Sequence, residues 1–120
     1  MATVIPTLTI TSSDATSEAL AISQTDSLTT TDPVVNTATE SVTVGAAVVL
    51  VKAAKATETY MYIKNTDGTN GLDLREATTN VVFGHLAAGE FAFFPVKASV
   101  GFEVIAIGGT VVVEYGFWSQ

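Results

Sequence analysis

Residues 100–118 read VGFEVIAIGGTVVVEYGFW, two runs of β-branched, aliphatic and aromatic residues separated by Gly108-Gly109. Such residues are stiff at χ1 and suit a pleated surface better than a helix. The glycine pair offers the positive-φ positions of a tight turn. The stretch therefore predicts two strands, over 100–107 and 110–118. Tyr115 and Phe117 alternate with Glu114 and Trp118, so both faces of the last strand carry rings.

The same texture extends back to Glu40. Strands are predicted at roughly 40–44, 46–53, 58–65, 71–75, 80–85 and 90–96, spaced as in a sandwich or small barrel. Asp67-Gly68, Asn70-Gly71 and Ala88-Gly89 are read as hairpin turns. Over 46–57 the alanines and two lysines leave a helix open as an alternative, against which Val48-Val49-Leu50-Val51 favours a buried strand. Nineteen threonines and sixteen valines carry the all-β reading through the whole chain. The fold class predicted is an antiparallel β-sandwich or jelly-roll-like barrel with an extended N-terminal arm. Phe91, Phe93, Phe102, Val104, Val113 and Tyr115 are its expected core.

The arm, residues 1–38, differs from the β-sandwich domain, residues 39–120. All ten aromatic and all five cationic residues lie in the second part, beginning at Lys52 and Tyr60. Without rings, which bury the largest areas, the first part has little with which to build a core. Yet Thr7-Leu8-Thr9-Ile10-Thr11 alternates with the period of a half-buried strand, and Ala19-Leu20-Ala21-Ile22-Ser23 repeats the pattern. Ser12-Ser13-Asp14 reads as a turn between them, and Asp32-Pro33 as a terminator. Leu8, Ile10, Leu20 and Ile22 are the expected partner-binding residues of the arm.

Composition excludes several classes. An apolar fraction of 48% with 14% charged residues is that of a chain that folds. So few charges leave neutral surface of the kind that meets partners. A net charge of −7 repels phosphate, so no nucleic-acid partner is expected. With no cysteine, disulfides and thiolate metal sites are ruled out. No signal peptide is read at the N-terminus, and the longest apolar run, 46–51, is far short of the roughly 20 residues of a membrane span. No membrane partner is expected, and synthesis in the cytoplasm is.

No catalytic set can be assembled from the sequence. His85 is the single histidine, and no G-x-S-x-G pattern accompanies it; it is read as a strand-end residue facing solvent or a backbone carbonyl. Asp73, Glu76, Glu90, Glu103 and Glu114 are scattered glutamates and aspartate on outward strand positions, without a sign of the paired carboxyls of a glycosidase. The loop from Asn65 to Asp73 is oxygen-rich, but its alignment on an EF-hand puts Ala77 where the bidentate glutamate belongs. A looser calcium site at Asp67 and Asp73 stays open. No enzyme, cofactor or metal site is predicted.

Three segments carry a resemblance: TYMYIKNTD at 59–67, LAAGEFAFFP at 86–95 and VEYGFW at 113–118. Together they resemble small all-β virion proteins of tailed bacteriophages, in which a YxYIKN strand, an LxxGEFxFxP hairpin and a final aliphatic-to-aromatic strand recur. The arm's TDSLTTTDP at 25–33 is similar to N-terminal segments of such proteins. The likeness covers roughly the last sixty residues. It implies a non-enzymatic part of a particle, foremost a decoration or cement protein on the capsid surface of the virion. Its implied partners are the major capsid protein and copies of itself, as a homotrimer. A tail or fibre component is the alternative within that class. A carbohydrate-binding module, with Tyr60, Tyr62 or Trp118 as stacking platforms, is the alternative outside it; core packing is the ordinary role of those three rings.

Overall fold

A computed structural model describes residues 2–33 and 37–120. They divide into two compact units, one ending at Thr31 and the other beginning at Asp32. The described residues contain strands and no helix.

The first unit has four strands: β1 (Ala2–Val4), β2 (Thr7–Ser12), β3 (Leu20–Thr25) and β4 (Leu28–Thr30). In place of the extended arm expected from the sequence, these strands pair with one another. β2 pairs antiparallel with β3, Ile10 opposite Ile22, and β1 pairs antiparallel with β4, Val4 opposite Leu28. Both pairings share one register. Counting back from Thr7 opposite Thr25 brings Pro6 opposite Asp26 and Val4 opposite Leu28 without insertion. The Asp26 N–H donates to the Pro6 carbonyl at 3.1 Å, but proline has no N–H to return. The unit is thus one two-stranded ribbon whose ladder is interrupted where Pro6 withholds a donor.

The second unit holds β5 (Asp32–Pro33), β6 (Ala38–Val42), β7 (Val48–Val51), β8 (Thr59–Asn65), β9 (Gly71–Glu76), β10 (Val82–Leu86), β11 (Phe91–Val96), β12 (Phe102–Ile107) and β13 (Val111–Ser119). The four-stranded sheet runs β10-β9-β12-β7. The other runs β11-β8-β13-β5, with β6 also paired to β13. All strand pairs are antiparallel, and each sheet ends in edges, so the sandwich is realised and the closed barrel is not. Residues 48–51, where a helix was the alternative, form a strand.

Inward-facing residues of the two sheets share one core. Leu72, Leu74, Phe102, Val104 and Ala106 come from the first sheet; Met61, Ile63, Val111 and Val113 come from the second. Phe102, Val104 and Val113 are buried as expected, and Tyr115 packs half-buried against the same core. Phe91 and Phe93 are not core residues: they are 65% and 39% exposed. On β11 the inward residues are Ala92, Phe94 and Val96. Period-two alternation left the choice between Phe93 and Phe94 open, and the parity of exposed Lys97 places the odd-numbered residues outside.

The turns at 65–71, 87–90 and 108–110 are corners, not hairpins, because each joins strands of different sheets. Gly89 and Gly108 have positive φ, whereas Gly68 and Gly71 do not. The 65–70 corner is built by side chains. Asn65, fully buried, donates through Nδ2 to the carbonyls of Asn70 (2.9 Å), Leu86 (3.2 Å) and Ala87 (3.2 Å), and its Oδ1 accepts the Asp67 N–H at 3.0 Å. One side chain therefore supplies the polar bonds that a ladder would have made and ties two corners together.

Candidate functional site

Two exposed apolar surfaces stand out, one in each unit. In the ribbon, residues opposite each other share a face, so Leu8, Ile10, Ile22 and Leu20 lie on one side together with Gln24 and Ser12, and Val4, Pro6, Asp26 and Leu28 continue it. The opposite side presents Thr7, Thr9, Thr11, Ser23 and Thr25. Alternation of aliphatic and hydroxyl residues, broken at Ser12, Ala21 and Gln24, produces this division. Leu8 is 50% exposed, Ile10 41% and Ile22 38%, while Leu20 is half-buried. The four residues expected to meet a partner are thus brought together in one patch.

The second surface is the outer face of β11-β8-β13. Register sets its rows: Phe91, Lys64 and Glu114; then Phe93, Tyr62 and Gly116; then Pro95, Tyr60 and Trp118. Tyr60, Tyr62 and Trp118, for which core packing was the ordinary expectation, face away from the inter-sheet core. Tyr60 is nonetheless well covered, its hydroxyl accepting from Gln120 Nε2 at 2.9 Å. The Tyr62 hydroxyl donates to Glu114 Oε1 at 3.0 Å. Burial first, then that hydrogen bond and the nearby carboxylate charge, raise the Tyr62 pKa above its ordinary value. The sequence held the signal for this face: Lys64 and Glu114 mark the outward parity of their strands.

The ionisable groups singled out in the sequence lie with separate partners. His85 is exposed, as read from the sequence, and its Nδ1 is 2.7 Å from Asp73 Oδ1, the two residues being directly opposite across β10 and β9. A Cβ on Gly71 would stand 2.6 Å from the imidazole, so glycine there leaves room for the ring. Arg75 donates to the largely buried Glu103 at 2.5 Å. Glu90 accepts the Ala87 N–H at 2.7 Å. The carboxylates of Asp73, Glu103, Glu90 and Glu114 are held by four different donors.

Asp67 and Asp73, considered for calcium, are engaged elsewhere. Asp67 Oδ2 accepts the backbone N–H groups of Asn70 (2.5 Å) and Thr69 (2.9 Å). These bonds hold its pKa below the usual carboxylate value. Asp73 faces His85. Among the described residues, no group of three or more His, Cys, Asp or Glu side chains is placed to hold a metal ion.

Where the sandwich opens between β10 and β11, Phe83, Phe94 and Phe102 border a cavity of about 160 Å³. Phe83 sits at a register shift between Val82 and Gly84, and such a bulge re-aims a side chain. Its ring packs 5.6 Å from Phe94 and 6.0 Å from Phe102 and stays half exposed at that end.

No protein-family model, curated protein or solved structure matches the chain.

Proposed function

We propose that this chain is a structural protein of a bacteriophage virion, a capsid decoration or cement protein that stabilises the shell by binding capsid subunits and sister protomers. The observation that carries the reading is the amphipathic ribbon, with its exposed patch of Leu8, Ile10, Leu20 and Ile22. A two-stranded ribbon is marginally stable alone in water, and an aliphatic face of this kind gains most by lying on another surface. The edges of β2 and β3 can also add to a neighbour's sheet through main-chain hydrogen bonds, which require no large side chains. The acidic net charge suits a component held away from packaged DNA. The likeness of residues 59–67, 86–95 and 113–118 to phage virion proteins agrees with this role at the outer surface of the particle, as a trimer. A tail or fibre part is the neighbouring alternative.

Mass analysis of purified particles tests the reading. A decoration protein is present at a copy number comparable with that of the shell subunit, a tail part in few copies, and absence from the particle overturns both. A second reading, a carbohydrate-binding module, has its own supporting observation in the outward rings of Tyr62 and Trp118. Glycan affinity of the isolated chain, with no affinity for particles, would select it.

A further inference from the structure

We infer that the aliphatic face of the ribbon is covered by the outer aromatic face of the β11-β8-β13 sheet of a second copy, so that copies associate head to tail. The inference rests on the virion reading for its biological setting and names the surface through which sister protomers meet.

Three observations single out another copy as the occupant. First, both surfaces are exposed and apolar: Leu8, Ile10 and Ile22 on one, Phe91 and Phe93 on the other. One kind of contact covers both when one copy's ribbon takes another copy's sheet. Second, charge does not oppose self-association through these faces. The chain carries −7 overall, which sets copies against one another. Yet no charged residue lies within β2 or β3. The three rows of the aromatic face hold one cation and one anion, Lys64 and Glu114, directly opposite each other in the register. Over β2, β3 and these rows, copies therefore approach without net like-charge repulsion. Third, the shapes fit. Both faces are sheet surfaces, which stack at about 10 Å with side chains interleaved. Six-residue strands give the ribbon patch a length of roughly 17 Å, and the five residues from Phe91 to Pro95, with their neighbours on β8 and β13, span roughly 14 Å.

The contact is heterologous, since the two faces differ; such a contact makes a ring where its rotation closes and an open filament where it does not, and the trimer of the virion reading is the ring. One ribbon patch is smaller than the roughly 800 Å² per partner of a specific interface. In a closed ring every copy gives one ribbon and receives another, so the two contacts act together.

The absence of cysteine allows single thiols to be introduced without interference. Ile10→Cys and Phe93→Cys chains, prepared separately, mixed and treated with a short bismaleimide, should yield a mixed covalent dimer in excess of either homodimer. The double variant should give linked oligomers. An internally bridged monomer would mean that the ribbon lies on its own sheet, and would overturn the inference. Sedimentation of the unmodified chain should show concentration-dependent association, weakened about thirtyfold by Phe93→Ser, as for a ring at the centre of an interface. Thr9→Ser, on the hydroxyl face, should leave it unchanged. A chain that stays monomeric, or an association indifferent to Phe93, refutes the head-to-tail contact. Copies that associate as described but never bind particles would sink the virion reading alone, and monomers that coat particles would sink this inference alone.

Discussion

Phe94 meets Phe102 edge to face across the two sheets, ring centroids 5.1 Å apart and planes at 79°. Phe94 belongs to β11 and Phe102 to β12, so the pair ties the sheets together at the end where Phe83 packs. Edge-to-face geometry sets the positive rim of one ring on the negative face of the other. Phe102 is completely buried, and Phe102→Ala should destabilise the second unit by about 3 to 5 kcal/mol. Phe93→Ala, on the outer face of the neighbouring strand position, should change folding stability by no more than about 0.5 kcal/mol. Urea unfolding of the two variants decides the matter: similar midpoints would mean that the face assignment of β11 is reversed.

Gly101 is required by both conformation and space. Its φ is 79°, and a Cβ would lie 2.8 Å from the Ala53 nitrogen and 2.9 Å from the Val51 carbonyl oxygen. Both obstacles are backbone and cannot rotate away. Gly101→Ala should therefore cost about 1 to 3 kcal/mol from backbone strain, with further loss from displacement of β7. Gly89→Ala is the control: φ is 80°, but no atom stands within 4 Å, so only the conformational part should be lost. Equal midpoints for the two variants would remove the steric half of the argument.

Asn65 is the polar hub of two corners. Asn65→Ala removes the side-chain donor to the carbonyls of Asn70, Leu86 and Ala87, the last of which keeps the Glu90 N–H, and should cost at least about 2 kcal/mol. Asn65→Asp is nearly isosteric but turns a carboxylate oxygen toward those carbonyls. It should be at least as damaging. Thermal unfolding checks both, and tolerance of the aspartate would show that shape and not hydrogen bonding holds the corners.

Much of this architecture is legible in the sequence, and what is not has a physical cause. All eight strand segments expected from Glu40 onward recur within about two residues at either end, because β-branched runs between glycines leave few other choices. Sheet membership is invisible to that reasoning. Asp67-Gly68 suits a hairpin in any local scan, and only the long-range bonds of Asn65 make it a corner. Likewise Phe93-Phe94 offers two adjacent rings to an alternating pattern, so the inward one is fixed by the charged residues that flank the strand. In the ribbon, alternation identified Leu8, Ile10, Leu20 and Ile22, but their meeting on one face depends on the register of β2 with β3.

Two titrations should shape the stability profile. Asp67 has a folded pKa below its ordinary value, held there by the Asn70 and Thr69 N–H groups. Its contribution is present above the unfolded value of about 3.9 and is lost as pH falls through the depressed one. Tyr62 has a raised folded pKa. Its contribution is complete below the unfolded value of about 10 and is lost as pH rises through the raised one. Chemical unfolding across pH should show both limbs, the acid one reduced in Asp67→Ala and the alkaline one in Tyr62→Phe. Unchanged limbs in these variants would assign the losses to other groups.

The two faces of the ribbon allow a test in which charge is held constant. Thr9 and Ile10 are adjacent in β2 and both exposed, but alternate sides of the strand put Thr9 among hydroxyls and Ile10 among aliphatic side chains. Thr9→Asp and Ile10→Asp each add one negative charge at nearly the same place. Any effect of net charge on a partner is thus common to both. If the aliphatic face is what lies on a neighbouring surface, Ile10→Asp buries an unpaired carboxylate at the contact, and particle binding should weaken by at least about thirtyfold. Thr9→Asp should bind within about twofold of the unmodified chain, the scatter ordinarily left by a substitution outside the contact. Circular dichroism should show both variants with the strand content of the parent, since neither residue is buried. Equal losses would attribute binding to charge or to the ribbon's edges, and a greater loss for Thr9→Asp would place the contact on the threonine face.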